Sequence, residues 1–373
     1  MSLLWRPAYW LFILMAGAGL VVVGLEQSAY LGSYPIAWFA SLVLLALTAI
    51  PAGFIIYRLD QFEPEPASLV AIALVWGGVV ALTFSALANS ALLSFLQNVF
   101  PGGVVDSWGA ALVAPLNEEL YKGAGLVALY LMRPREFDSL MDGLVYGAMI
   151  GLGFQVVENV QYFMMAAAQS AGGQLAAVAG MFLVRVVLAG VYSHMLFTGL
   201  MGFGFAYFVI NRGRVSVRLR VATVALFACL AWAAHFVWNS PVLDAWLARG
   251  GSFYVLALIV KGMPFLALLG LVGYLARRRE AKAFARLMAA EVGSDVVTVE
   301  EFRVLRSGRL RRRALRRMKK VQGKRASKVL KRLQRAQMDL AVLHAKTGSP
   351  NAPILEARRD EVRRLKALLA QAH

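Results

Sequence analysis

Glu118, Glu119 and Lys122 stand inside a stretch that otherwise has the apolar character of a membrane helix. An ionisable side chain in a bilayer core costs at least ~2.5–3.5 kcal/mol on insertion scales, so those that persist pair with one another or carry function. Glu118 and Lys122 are four apart with the acid N-terminal, the favourable order for a helical pair, and Glu119 reaches Lys122 at a spacing of three. Two acids against one base leave one carboxyl unmatched, to be protonated or held by another group. A carboxyl poised in that way is a candidate general base. Pro115, one turn earlier, can kink the helix or open it to water. A structural ion pair that fixes helix packing is the alternative.

Further polar residues follow in later apolar segments. Phe154 and Glu158 are one turn apart, with Asn159 next; Arg185 and His194 share a segment; His235 and Asn239 are one turn apart and so on one face. Asp142 and Tyr146 share a face near a helix end, where Asp142 could also be simply solvated. Gly143, Gly147 and Gly151 line one face at four-residue spacing, which suits close approach of a neighbouring helix. Of the four histidines, His344 and His373 lie in the C-terminal tail and the other two lie in apolar runs. Glu118 is 15 residues before Arg133, Glu158 is 20 after Asp138, His194 is 18 before Arg212 and His235 is 15 after Arg220. At ~1.5 Å per residue these depths are roughly 22–30 Å, one common level, as a single polar cavity would require.

The elements that must hold these groups are long apolar helices. Apolar residues make up 59% of the chain, against about half in soluble proteins. Eight all-α segments long enough to span a bilayer are expected at about 9–25, 36–57, 69–98, 109–132, 140–168, 175–210, 221–239 and 253–276. The first is expected to be a membrane helix and not a removed signal peptide, since no clear small-residue cleavage site follows it. In that arrangement Arg6, Arg58, Arg133, Arg135, the cluster Arg212 to Arg220 and Arg277 to Arg279 share one side, and Arg249 stands on the other. The bias of basic residues toward cytoplasmic loops then puts both termini in the cytoplasm and the polar level in the outer half of the membrane. The net charge of +18 resides in the tail: residues 1–276 carry 12 basic and 12 acidic residues, residues 277–373 carry 27 and 9. The expected domains are therefore a polytopic membrane domain, 1–276, and a basic helical cytoplasmic tail, 277–373. In the tail, Val329, Leu333, Ala336, Leu340 and Leu343, then Leu355, Val362, Leu365 and Leu369, suggest a helical hairpin with an apolar seam. Anionic lipid is its expected partner; specific nucleic-acid binding is not expected, because no base-reading motif appears. The one cysteine, Cys229, excludes an intrachain disulfide and a thiolate cluster.

The ordered set Glu118-Glu119-x-x-Lys122, Phe154-x-x-x-Glu158-Asn159, His194 and His235-x-x-x-Asn239 resembles the PrsW family of intramembrane proteases, related to the CAAX prenyl endopeptidases of the CPBP group. The likeness covers about residues 36–240. It implies hydrolysis of a peptide bond in a membrane-anchored protein, with regulators such as anti-sigma factors as the substrate class, in a multi-pass protein of the bacterial plasma membrane. It also implies roles: Glu118 as general base, Glu119 tuning it through Lys122, His235 and Asn239 as oxyanion donors, His194 and Glu158 completing the cavity. The prenyl endopeptidases have Phe-x-x-x-His where this chain has Phe154-x-x-x-Glu158, so the partner of the base is open.

Amide hydrolysis needs a base for water, donors for the oxyanion and an acid for the leaving amine, and these residue types supply them. No cofactor is expected in that form. A zinc form is the alternative, with Glu118, Glu158, His194 and His235 as ligands, although no HExxH helix is present. Two readings from other classes use the same residues: a proton- or ion-coupled transporter or channel, and a catalytically silent scaffold. A defined new terminus in a single-span substrate separates the first reading from both.

Overall fold

The computed structural model describes residues 3–371 apart from 61, 63, 172, 189–192 and 348–351, so His373 lies outside the described residues. Helices α1 (Pro7–Ser33) and α2 (Pro35–Tyr57) each begin on a proline, whose missing N–H is no loss in a first turn. Next, α3 (Ala67–Val75) and α4 (Leu82–Val99) are joined by a π turn, Trp76–Ala81, into one rod. Helix α5 (Gly102–Met132) runs through Pro115 without a break. A capping box between Ser139 and Asp142 starts α6 (Leu140–Gln169). Helix α7 (Gln174–Phe182) continues as a π turn, Leu183–Leu188, and α8 (Ser193–Ile210) follows. Ser216 caps α9 (Val217–Asn239), after which come α10 (Asp244–Leu247) and α11 (Gly251–Leu287). The chain ends in α12 (Val299–Leu305), α13 (Gly308–Thr347) and α14 (Pro353–Ala370). Among the described residues there is no strand; Val292 and Val297 form an isolated bridge.

Seven helical stretches are long and apolar enough to cross a membrane: α1, α2, the α3–α4 rod, α6, the stretch Gln174–Ile210, Val217–Trp246 and α11. Helix α5, expected as an eighth, is long enough at 31 residues but is not among them. Asp106, Glu118, Glu119 and Lys122 lower its hydropathy, and it is these same groups that give it chemical interest. Large apolar side chains such as Leu14, Val21, Leu47, Ile50, Leu226 and Leu271 are exposed along these helices. Water would penalise so much exposed hydrocarbon, whereas a lipid surround would not.

The chain divides into two compact units, Met1–Asp60 with Glu65–Tyr274, and Gln61–Pro64 with Leu275–His373. In the first, α6 is the axis. Its glycines let helices touch it on two sides. A Cβ at Gly143, Gly147 or Gly151 would overlap the carbonyls of Gly202, Thr198 or His194 on α8. On the other side Gly77 and Gly78 of the π turn meet the carbonyls of Ile150 and Gly153 in the same way. Backbone contact this close fixes the height of α8 against α6, and with it His194 against Glu158.

In the second unit Leu333, Ala336 and Leu340 of α13 are buried with Leu355, Val362 and Leu365 of α14, and Val329, Leu343 and Leu369 pack against them. Phe284, Met288 and Leu305 complete this core. Helix α13 is broken at Gly323, whose φ of 87° suits glycine. Buried Glu291 accepts from Arg359 and pairs with His344 Nε2 at 2.7 Å.

Candidate active site

Four helices bring ionisable groups to one buried place. Lys122 on α5 is fully buried. Its ammonium donates to Glu118 Oε2 at 3.1 Å, Glu119 Oε1 at 2.9 Å and His194 Nδ1 at 2.8 Å, and lies 3.8 Å from the centre of the Phe154 ring. All three of its protons are thus used, and a cation–π contact adds to them. On α6, Glu158 Oε2 lies 3.0 Å from His194 Nε2 and accepts from Arg185 at 2.9 Å. Arg185 also donates to Asn159 at 3.1 Å and rests 3.5 Å above the Tyr162 ring. On α9, His235 Nδ1 lies 3.0 Å from Glu119 Oε1.

These partners assign the imidazole protons. Lys122 can only donate, so His194 Nδ1 is the acceptor and Nε2–H faces the Glu158 carboxylate. His235 Nδ1–H likewise faces Glu119, which leaves a lone pair on Nε2. The lone-pair nitrogens of both rings turn toward one atom, Glu118 Oε2, and each is 3.9 Å from it. The ring planes are nearly perpendicular, with centroids 5.0 Å apart.

This arrangement suits a metal ion. Glu118, His194 and His235 each offer one ligand atom, all within 4.8 Å of one another, and all three are buried. A tetrahedral ion with ~2.0–2.1 Å bonds needs ligand atoms about 3.4 Å apart, so an inward movement of up to about 0.7 Å per atom would close the set. Each histidine also has its far nitrogen tied to a carboxylate, the second contact that orients histidine ligands on metals. Glu158, expected among the ligands, does not join them. It occupies the opposite nitrogen of His194 and orients the ring.

Other expected residues lie elsewhere. Asn239 is exposed at the last turn of α9 and makes no hydrogen bond to the cluster among the described residues. Asp142 and Tyr146 sit at the start of α6, about 24 Å and 18 Å along the helix from Glu158. There Asp142 closes the capping box with Ser139 and neighbours Glu65, whose carboxyl is held well above its ordinary range by burial and then by the Asp142 charge. Two further contacts join the cluster. Thr198, one turn from His194, donates to Glu119 Oε2 at 3.3 Å, and Phe197 stacks on His235 with centroids 4.8 Å apart. The i+4 relation of Thr198 to His194 was the available signal; Phe197 carries none.

The profile of a family described as PrsW family intramembrane metalloprotease matches residues 65–269. The Protease PrsW of Geobacillus kaustophilus (strain HTA426) is 33% identical over 163 residues, which are 42% of this chain and 63% of that protein. No solved structure matches. The profile spans more than half of the chain and every residue of the buried cluster, and the protein belongs to the PrsW family of intramembrane metalloproteases.

Proposed function

We propose that this protein hydrolyses a peptide bond in membrane-anchored proteins, at a buried site whose metal ligands are Glu118, His194 and His235. The observation that carries this reading is the convergence of His194 Nδ1 and His235 Nε2 on Glu118 Oε2, 3.9 Å from each. A divalent ion held there would lower the pKa of bound water toward neutrality and polarise the scissile carbonyl. The chain's own groups do the rest. Glu158 and Glu119 hold the two rings in the tautomers that leave those nitrogens unprotonated. Glu118 Oε1 has no hydrogen bond among the described residues and lies on the carboxylate that both ring nitrogens face, so it is the acceptor for a proton from attacking water. Lys122 brings a positive charge beside the developing oxyanion, and the leaving amine takes its proton back from the Glu118 side.

A glutamate-activated water without metal uses the same residues, and one observation favours it: the Lys122 ammonium already bridges Glu118 Oε2 and His194 Nδ1. The deciding experiment reconstitutes the purified protein with a single-span substrate. The expected result is one defined new terminus, lost on treatment with a strong chelator, restored by stoichiometric zinc and absent in Glu118→Gln. Cleavage that survives complete metal removal leaves the metal-free form. Absence of cleavage, together with proton or ion flux, would replace the protease by a transporter.

The reading extends to the whole chain: residues 1–276 form the protease, and 277–373 a basic cytoplasmic tail against anionic lipid. In a Cys229→Ser background, a cysteine at Asp106 should react with impermeant reagents from outside intact cells, and one at Glu136 should not. The reverse labelling would invert the topology.

A further inference from the structure

A second polar feature lies at the other end of the bundle. The turn between α8 and α9 lines an open cavity of about 900 Å³ with Arg212, Arg214 and Arg220 on its walls. Arg220 is 6% exposed, and its Nε is buried without a hydrogen-bond partner. The guanidinium lies 4.2 Å from the centre of the Phe208 ring, which covers one face of it. None of the three arginines makes an ion pair with a carboxylate among the described residues. Leaving a buried guanidinium donor unmatched costs more than an ordinary hydrogen bond contributes, so a bound acceptor is the expected resolution. Ser216 and the first turn of α9, a helix of 23 residues, add N–H groups and the positive end of a helix dipole at the same place.

The remaining walls are apolar: Tyr130, Phe208, Val209, Val215 and Val217. A small hydrated anion gains nothing from them, whereas an anion with hydrocarbon attached does. Position agrees. Tyr130 is near the end of α5, Phe208 near the end of α8 and Arg220 in the first turn of α9, each about 18–22 Å along its helix from Glu118, His194 and His235. Ends of apolar helices lie at the depth of lipid headgroups.

We propose that this cavity binds the phosphate of an anionic phospholipid, with Arg220 as the buried partner and Arg212 and Arg214 closing over the headgroup. Arg220 and the α9 N-terminus hold the phosphate, and Phe208, Val215 and Val217 take the first part of the acyl chains. The site is separate from the basic tail and does not depend on the protease reading.

The test uses the full-length protein in mixed phosphatidylglycerol–phosphatidylcholine micelles, with retained lipid counted by native mass spectrometry. The native protein should retain phosphatidylglycerol selectively. R212Q/R214Q, both exposed positions, should fold normally and lose part of that preference; R212Q/R214Q/R220Q should lose roughly a hundredfold in all, as expected for about three basic contacts. R58Q/R135Q removes the same charge as R212Q/R214Q from exposed positions of the membrane domain away from the cavity and should leave the preference unchanged. Inorganic phosphate should not displace the lipid. A preference that survives R212Q/R214Q, or one lost equally on R58Q/R135Q, overturns the site. Displacement of lipid by inorganic phosphate, with phosphate itself retained, would make it a free-phosphate site and overturn the lipid assignment.

Discussion

Glu158 takes the Nε2 side of the His194 ring at 3.0 Å and so leaves Nδ1 turned toward Glu118. The contact decides which nitrogen can bind. On the proposed metal reading, Glu158 is a positioning residue whose loss should loosen the ion without removing a ligand. Orienting partners of this type typically contribute 10–100-fold in metal affinity. Glu158→Gln should therefore keep one zinc per chain, by elemental analysis, but release it 10–100-fold more readily to a chromophoric chelator. His194→Ala and His235→Ala should lose stoichiometric zinc altogether. If Glu158→Gln abolished the stoichiometry while His194→Ala did not, the two roles would be exchanged.

A metal ion bound at the proposed site would compete with Lys122 for the same atoms. The ammonium donates to Glu118 Oε2 and His194 Nδ1, two of the three candidate ligand atoms. Lys122→Met leaves two buried carboxylates without their cation, and breaking such a pair costs about 3–5 kcal/mol. The variant should melt well below the native protein without metal. Zinc should raise its melting temperature by more than it raises that of the native protein, because the ion replaces the missing charge. Equal zinc-induced shifts in the two proteins would show that Lys122 and the ion do not share a place.

The α6–α8 contact is predicted to be intolerant of a single methyl group. A Cβ at Gly147 would overlap the Thr198 carbonyl, which belongs to rigid helix backbone. Gly147→Ala should cost ~1–3 kcal/mol as an overpacked interface. It should also impair turnover, because Thr198 and His194 ride on the displaced helix. Gly180→Ala on α7 meets nothing within 4 Å and should be neutral or slightly stabilising. Similar melting temperatures for the two variants would remove the close approach as the device that sets the site.

Much of this was legible in the chain because charge is conspicuous in an apolar helix. Glu118, Glu119, Lys122, Glu158, His194 and His235 announced themselves by their expense, and their equal depth along four helices announced a shared level. The glycine face of α6 was legible in the same way, from spacing. What spacing could not carry was direction and extent. Asn239 shares a face with His235, but α9 ends there, so the residue meets solvent. Glu158 has the right chemistry for a ligand, yet which ring nitrogen it meets depends on the rotation of α6 against α8. Thr198 and Phe197 are ordinary residues in an apolar run, and only packing gives them a partner. The α5 span failed a hydropathy reading because the groups that make it interesting also make it polar.

The second unit should be acid-sensitive through one carboxylate. Burial alone would raise Glu291, but hydrogen bonds from Arg359 and His344, and their charges, hold it below its ordinary value near 4.5. A group depressed on folding stabilises the fold above its unfolded pKa, and that contribution is lost as pH falls through the folded one. The core of α13 and α14 should thus hold its stability from neutrality down to about pH 4.5 and lose this contribution below it. Glu291 joins the loop after α11 to α14 through Arg359 and to α13 through His344, so its protonation loosens both helices. Hydrogen exchange in full-length protein, corrected for intrinsic rates, should show α14 protection falling below pH 4.5. Glu291→Gln should show lower protection at pH 7 and a flatter acid limb, since the variant has no charge left to lose. An acid limb in Glu291→Gln as steep as the native one would assign the sensitivity to the more exposed pairs of Arg363 with Asp295 and Glu356, which are weakened by solvent and salt.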